Sequence, residues 1–244
     1  MEWTPVTPQA EPDRQAVIEA QTLLSALIEF SQRAGHDLLG PLSQAASLLA
    51  LYVRRHKDQA GDDGNELLEY LLTASARMDG LVGGIRKYMD AAGRRPNVDT
   101  VDLNYTVAAA KAAIGASLSA SGAAIQTEAL PAVKADATQM QTVFEAVIGN
   151  AIKFHKPETA PLVRISGRRE GALAVIAVED NGIGIEPENR DAVFLPFKRL
   201  NGREYPGQGL GLALAKLIVA MNGGAIGVME SATGTRIEFT VPAP

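Results

Sequence analysis

Hydrophobic positions divide the chain into two regimes. From Leu24 onward, Leu24, Ile28, Ser31, Gly35, Leu38, Leu42, Ala45, Leu49 and Tyr52 recur at alternating spacings of four and three. That is a heptad seam on a long helix. Residues 58–65 interrupt it with a polar, glycine-bearing turn. A second seam follows with the same spacing: Leu67, Leu71, Ala74, Met78, Leu81, Ile85 and Tyr88. Two amphipathic helices joined by a turn predict an antiparallel hairpin. One hairpin leaves part of two such seams uncovered, so pairing of two copies into a four-helix bundle, a homodimer, is the expectation.

Residues 91–100 (AAGRRPNVDT) break the helical rhythm with glycine, proline and charge. Beyond them the pattern alternates. Short strands are expected at Val101–Leu103, Ala123–Glu128 and Ala132–Ala135, and helices at Tyr105–Ser119 and Thr138–Phe154. Strands at Val163–Arg168 and Leu173–Val178, a helix at Leu210–Asn222 and strands at Ala225–Glu230 and Thr235–Val241 follow. Helices gathered against a mixed sheet predict an α+β sandwich. The division expected is a tail over 1–12, a helical hairpin over 13–93 and an α/β sandwich over 99–244.

The chemistry concentrates between Asp180 and Leu212. DNGIG follows an apolar strand, and GQGLG opens a helix. An ionised carboxylate at a strand end accepts hydrogen bonds but cannot donate them. A glycine-rich loop entering a helix offers free N–H groups and the positive dipole end. An acceptor for a base amine with donors for phosphates points to a nucleotide site. Asn181-Gly182 is also a hairpin-turn signal, but the residues after it do not alternate as a strand would. GQGLG is neither a dinucleotide fingerprint, because NGREYP rather than a strand precedes it, nor a P-loop, because Leu212 replaces the lysine.

Taken together these motifs resemble the catalytic core of sensor histidine kinases, whose Bergerat-type ATP-binding domain is shared with Hsp90, gyrase B and MutL. The likeness spans Gln32 to Val241 and follows the family's order. It comprises an H-box at His36 (HDLLGPL), an N-box at Asn150 (GNAIKF), DNGIG at Asp180, an F-box at Phe194 to Phe197, and the glycine box at Gly207. The resemblance implies a phosphotransfer hairpin followed by an α/β sandwich of Bergerat (GHKL) type. It implies that His36 takes the γ-phosphoryl group of Mg-ATP and passes it to an aspartate on a response regulator. Asp37 would fix the His36 tautomer by accepting the proton of the other ring nitrogen. Asn150 would ligate Mg²⁺. Lys153 would reach a phosphate, and Asp180 would accept from the adenine amine. Gly182 and Gly184 would let the backbone approach the base. Lys198 and Arg199, with Arg203, would sit in a lid over the phosphates, and Gly207, Gly209, Leu210 and Gly211 would donate to them.

Two departures qualify the likeness. Where the family has a second asparagine four residues before Asn150, the chain has Ala146. Four residues after His36 it has Gly40, which cannot orient a water, so weak or absent phosphatase activity toward the regulator is expected. Ala146 keeps open a nucleotide-binding pseudokinase or dimeric signalling adaptor. A hub that only receives phosphate is disfavoured by the intact Asp180 and Gly207 boxes.

Composition narrows the setting. The 244 residues are 46% hydrophobic and 21% charged, with net charge −5 and no cysteine. The charge argues against a nucleic-acid partner and an anionic membrane surface. Absence of cysteine excludes disulfides and a thiol nucleophile, and fits a cytoplasmic setting. No apolar run is long enough to enter a membrane directly, and the N-terminus lacks the pattern of a signal peptide.

Overall fold

A computed structural model describes residues 43–55, 62–200, 205 and 207–244. His36, Asp37, Gly40 and Arg203 lie outside the described residues.

Helix α1 covers residues 43–55 and α2 covers Asp62–Gly93. The turn expected at 58–65 therefore ends by Asp62. The faces that the two helices bury differ by one position from the expected seams. Ala46 and Val53 of α1 and Leu68, Ser75 and Val82 of α2 are buried. The expected Ala45, Tyr52, Leu67, Ala74 and Leu81 are exposed. Leu68, Ser75 and Val82 are themselves one heptad apart, so each helix carries two adjacent stripes. The inner stripe is marked by polar chemistry: the buried Ser75 Oγ donates to the Ala46 carbonyl at 2.7 Å.

The rest of the chain is a helix-on-sheet sandwich. Strand β1 (Asp99–Asp102) pairs antiparallel with β3 (Ala132–Ala135). A five-stranded sheet runs in the order β2 (Ala124–Thr127), β4 (Leu162–Glu170), β5 (Leu173–Asp180), β7 (Arg236–Pro242), β6 (Ile226–Met229). Only β2–β4 is parallel among these pairs. Helices α3 (Leu103–Ala113), α5 (Ala137–Lys153) and α6 (Gly211–Met221) pack on the sheet, with a short α4 (Gly115–Ser121) between α3 and β2. The helix expected over Tyr105–Ser119 is thus two. The first is capped by Asp102, which accepts from Asn104 N, and it stops at Ile114 before Gly115, a poor helix former. Leu103, expected to close a strand, opens that helix and is fully buried.

Alternation on β4 turns Val163 and Ile165 to the core and Arg164 to solvent. Core residues Ile237, Phe239 and Val241 of β7 face the same way. Helix α5 answers with Met140, Val143, Phe144, Val147 and Ile148, all buried as its 3.6-residue period predicts. Phe144 and Phe239 meet edge-to-face, with ring centroids 5.6 Å apart. Residues leading from α2 into the sandwich are tied to it by a buried polar network. Asp136 caps α5 through Gln139 N and accepts Asn97 N at 2.9 Å, while Asp136 N donates to Asn222 Oδ1. Burial pushes the Asp136 carboxyl up, but the N–H groups of Asn97 and Gln139 and the charge of Arg94 together hold it below its ordinary value. The break at residues 91–100 is therefore tied to the sandwich at Asn97. Among the described residues no helix is long and apolar enough to cross a membrane.

Candidate functional site

Strand β5 ends at Asp180, whose backbone N–H still donates to Thr235 O at 2.8 Å. Its side chain then organises the turn that follows. Oδ1 accepts Gly182 N at 2.8 Å and Thr235 N at 2.9 Å. Gly182 is required by a close approach: a Cβ there would collide with the Phe154 carbonyl oxygen. That carbonyl accepts Ile183 N at 3.0 Å, joining the end of α5 to the turn. Asn181 points away from the cavity chemistry; its Oδ1 accepts Leu162 N and its Nδ2 donates to Ala160 O. This is a local clamp rather than a β-hairpin.

Burial pushes the Asp180 carboxyl above its ordinary value of 3.8, and neighbouring Glu179 adds to the push; the N–H groups of Thr235 and Gly182 oppose it. A desolvated carboxylate that faces a cavity favours a donor over water.

Opposite it, α6 opens at Gly211 with Leu210 as N-cap and no side-chain cap. Among the described residues no side chain accepts its first N–H groups. Gly207 (φ 146°) and Gly209 (φ 71°) shape the approach. At Gly209 a Cβ would lie 2.7 Å from Lys198 O, and Phe197 N donates to Gly209 O at 2.9 Å. The two segments clasp each other, which holds Phe197 at φ 63°, uncommon for a residue with a side chain.

Asp180, Gly184, Asn150, Lys153, Lys198, Arg199, Gly207, Gly209, Leu210 and Gly211 line one cavity of about 410 Å³. Acceptor and donors are thus at one site. Gly182 lies behind the wall and supports Asp180. Lys153 stacks over the Phe154 ring with Nζ 4.2 Å from its centroid. Its half-burial, and secondarily the charge of Arg199, lower its pKa from 10.5. Arg199 donates to Tyr205 O at 2.9 Å, and the Tyr205 ring packs on Phe154 at 5.0 Å. The two F-box aromatics diverge. Phe194 is buried in the core with Lys216 over its ring, whereas Phe197 is exposed.

Sequence reasoning missed several contributors. Thr235 doubles the hold on Asp180; the only signal was a Thr-Gly-Thr step opening a strand. The Phe154 carbonyl bears no side-chain signal at all. Contacts from α2 were also unforeseen. Gln208 Nε2 donates to Arg77 O at 3.4 Å, and a Cβ at Gly84 would lie 2.8 Å from Leu210 Cδ1. Helix α2 therefore touches the glycine loop.

The cavity suits a ligand with amine donors at one end and anionic oxygens at the other. For a divalent metal the fit is lean: the Asn150 amide is the oxygen ligand that α5 offers there. Among the described residues no group of three or more His, Cys, Asp or Glu is placed to hold a metal ion.

Comparison with known proteins agrees with this architecture. Residues 135–244 match the family described as histidine kinase-, DNA gyrase B-, and HSP90-like ATPase. The chain is 32% identical over 236 residues to the phytochrome-like protein Cph1 of Synechocystis sp., covering 96% of this chain and 31% of that protein. It is 31% identical over 223 residues to the sensor-like histidine kinase SenX3 of Mycobacterium tuberculosis, covering 88% of this chain and 53% of that protein. The chain thus spans a third to a half of these relatives. Full-length ShkA, solved in complex with AMPPNP, superposes with a TM-score of 0.65 at 21% identity, over 88% of this chain and 45% of that one. The Acinetobacter baumannii histidine kinase AdeS superposes at 0.59 and 20% identity, over 82% of this chain and 95% of that one. These two structures speak to the fold alone. Motif order, fold and relatives support a sensor histidine kinase catalytic core, in which residues 135–244 match the histidine kinase-, DNA gyrase B-, and HSP90-like ATPase family.

Proposed function

We propose that this core transfers the γ-phosphoryl group of Mg-ATP to His36 and then to an aspartate of a response regulator. The reading is carried by one observation: the Asp180 carboxylate and the Gly207–Gly211 donors share a cavity. In this reading Asp180 accepts from the adenine amine, and the N–H groups at the start of α6 receive the phosphates. Gly184 lets the backbone pass close to the base. Lys153, Lys198 and Arg199 neutralise phosphate charge. A magnesium ion held by the Asn150 amide, phosphate oxygens and water would supply further charge neutralisation.

The unprotonated ring nitrogen of His36 forms a bond to the γ-phosphorus as the bond to the β–γ bridging oxygen breaks, and ADP leaves. The proton on the other ring nitrogen passes to the Asp37 carboxylate. Such transfer has a loose transition state, so the protein acts mainly through positioning and charge. Residues 13–93 would form the phosphotransfer hairpin, residues 99–244 the ATP-binding domain, with residues 1–12 a tail. Exposed Leu48, Leu51, Leu67, Tyr70 and Leu81 on α1 and α2 support burial against a second copy, giving a four-helix homodimer. Gly40 in place of a water-orienting side chain implies little phosphatase activity.

A second reading is a nucleotide-binding pseudokinase or adaptor; Ala146 on the cavity wall, where an amide would add a metal ligand, favours it. Incubation with γ-labelled ATP and magnesium separates the two. Label on wild type and none on His36→Gln is expected. An unlabelled wild type that still binds ATP establishes the adaptor, and label surviving in His36→Gln moves the acceptor elsewhere.

A further inference from the structure

Phosphate oxygens in a partly enclosed cavity need counter-charge, from a divalent ion or from side-chain cations. In this cavity the two sources are unequal. Helix α5 lines it through Ala146, Gly149, Asn150 and Lys153 among others. Of these four side chains, one has an oxygen and one has a charge. The neighbouring carboxylate, Glu145, does not line the cavity and accepts from Gln141 Nε2 at 2.8 Å. Asp180 has Oδ1 committed to two backbone N–H groups. From α5 a magnesium ion would therefore gain a single neutral ligand, whereas such sites ordinarily use one or two carboxylates.

Lys153 is placed to do what the metal cannot. Its Nζ lies at the mouth of the glycine loop: a Cβ at Gly207 would come within 2.5 Å of it. The Phe154 ring beneath it at 4.2 Å fixes the stem. Its half-buried ammonium is under-solvated, so an anion beside it recovers interaction lost from water. Ala146 completes the contrast. Its Cβ is 3.9 Å from where a Cβ on Gly211 would stand, so position 146 faces the first residue of α6. A methyl group there offers no oxygen for a metal at the phosphates.

We propose that Lys153, together with the absence of a metal ligand at Ala146, makes nucleotide binding in this cavity largely independent of magnesium. The inference rests on reading the cavity as the nucleotide site. The probe is ADP, measured by titration calorimetry on the whole chain in excess magnesium and in excess EDTA.

Wild type is expected to bind with dissociation constants that differ by less than about fivefold between the two conditions. Ala146→Asn restores an oxygen at the phosphates and is expected to open that gap to about tenfold or more, with tighter binding in magnesium. Lys153→Gln is expected to weaken binding in EDTA by about tenfold or more. A wild-type gap of fivefold or more overturns the proposal, as does a Lys153→Gln variant that binds like wild type in EDTA. The wild-type comparison stands even if either variant fails to fold. Absence of ADP binding in both conditions removes the nucleotide reading itself, a result distinct from binding that needs the metal.

Discussion

The two ends of the cavity are built by different physics. At the acceptor end a carboxylate is locked by backbone: Oδ1 receives two N–H groups, and the turn behind it closes on the Phe154 carbonyl. At the donor end no side chain caps α6; three residues in left-handed or unusual backbone, Phe197, Gly207 and Gly209, hold the loop in place. That loop also leans on α2 through Gln208 and Leu210. The acceptor end is thus preorganised by the sheet, and the donor end answers to what lies around it. Base recognition should therefore be steep and local, whereas phosphate recognition should respond to the lid, the hairpin and the cations.

The sharpest way to break this contrast is Asp180→Asn. The Asn oxygen would be taken by Gly182 and Thr235 N–H, which leaves its NH₂ group to face the base amine, donor against donor. Loss of a hydrogen bond to a charged group predicts about 1.5–3 kcal/mol, or ten- to more than a hundredfold weaker ADP binding by calorimetry. Retained affinity would remove Asp180 from base recognition.

Gly209→Ala probes the other end. Its φ of 71° disfavours a side chain, and the added Cβ would press on Lys198 O. About a tenfold loss of ADP affinity is expected, with the melting temperature shifted by only a few degrees because the loop is outside the core. A large melting shift would show that the loop serves stability instead.

Acidification tests the carboxylate directly. Since burial raises the Asp180 pKa above 3.8 in the folded chain, the folded state holds that proton more tightly than the unfolded one. Its contribution to stability is present at acid pH and is lost as pH rises through the raised value. Binding runs the opposite way, because only the ionised form accepts without donating. ADP affinity should fall on acidification at a pH above the ordinary aspartate range, and Asp180→Asn should flatten that dependence. An unchanged pH profile in the variant would contradict the assignment.

The smallest effect is expected from Gly84→Leu. A side chain there collides with Leu210 and should lift the glycine loop from α2, changing ADP affinity by about two- to fivefold. Unaltered affinity would mean that the α2 contact is passive.

Legibility in the sequence followed periodicity and motif spacing. Helix α5 and strands β4, β5 and β7 lie where their apolar patterns put them, because α5, β4 and β7 each bury one face and β5 is a continuous apolar run buried on both. On α1 and α2 the buried residues stand one position from the expected seams, since spacing alone does not say which of two adjacent stripes meets the other helix of the same chain. The break at Ile114 was hidden because Gly115 stands alone in an alanine-rich run that otherwise favours helix. At the site, carboxylate and glycines are readable because their chemistry is in the side chain or in its absence. The Phe154 carbonyl and the Thr235 N–H are not, because every residue but proline carries both groups and only the fold selects them.

A crystal structure of the chain with a non-hydrolysable ATP analogue tests the central claim most directly. The account predicts the adenine amine within about 2.7–3.2 Å of the Asp180 carboxylate, and phosphate oxygens at the same range from N–H groups of Gly209, Leu210 or Gly211. An analogue seated outside this cavity, or lying in it with its base against the glycine loop and its phosphates toward Asp180, would contradict it.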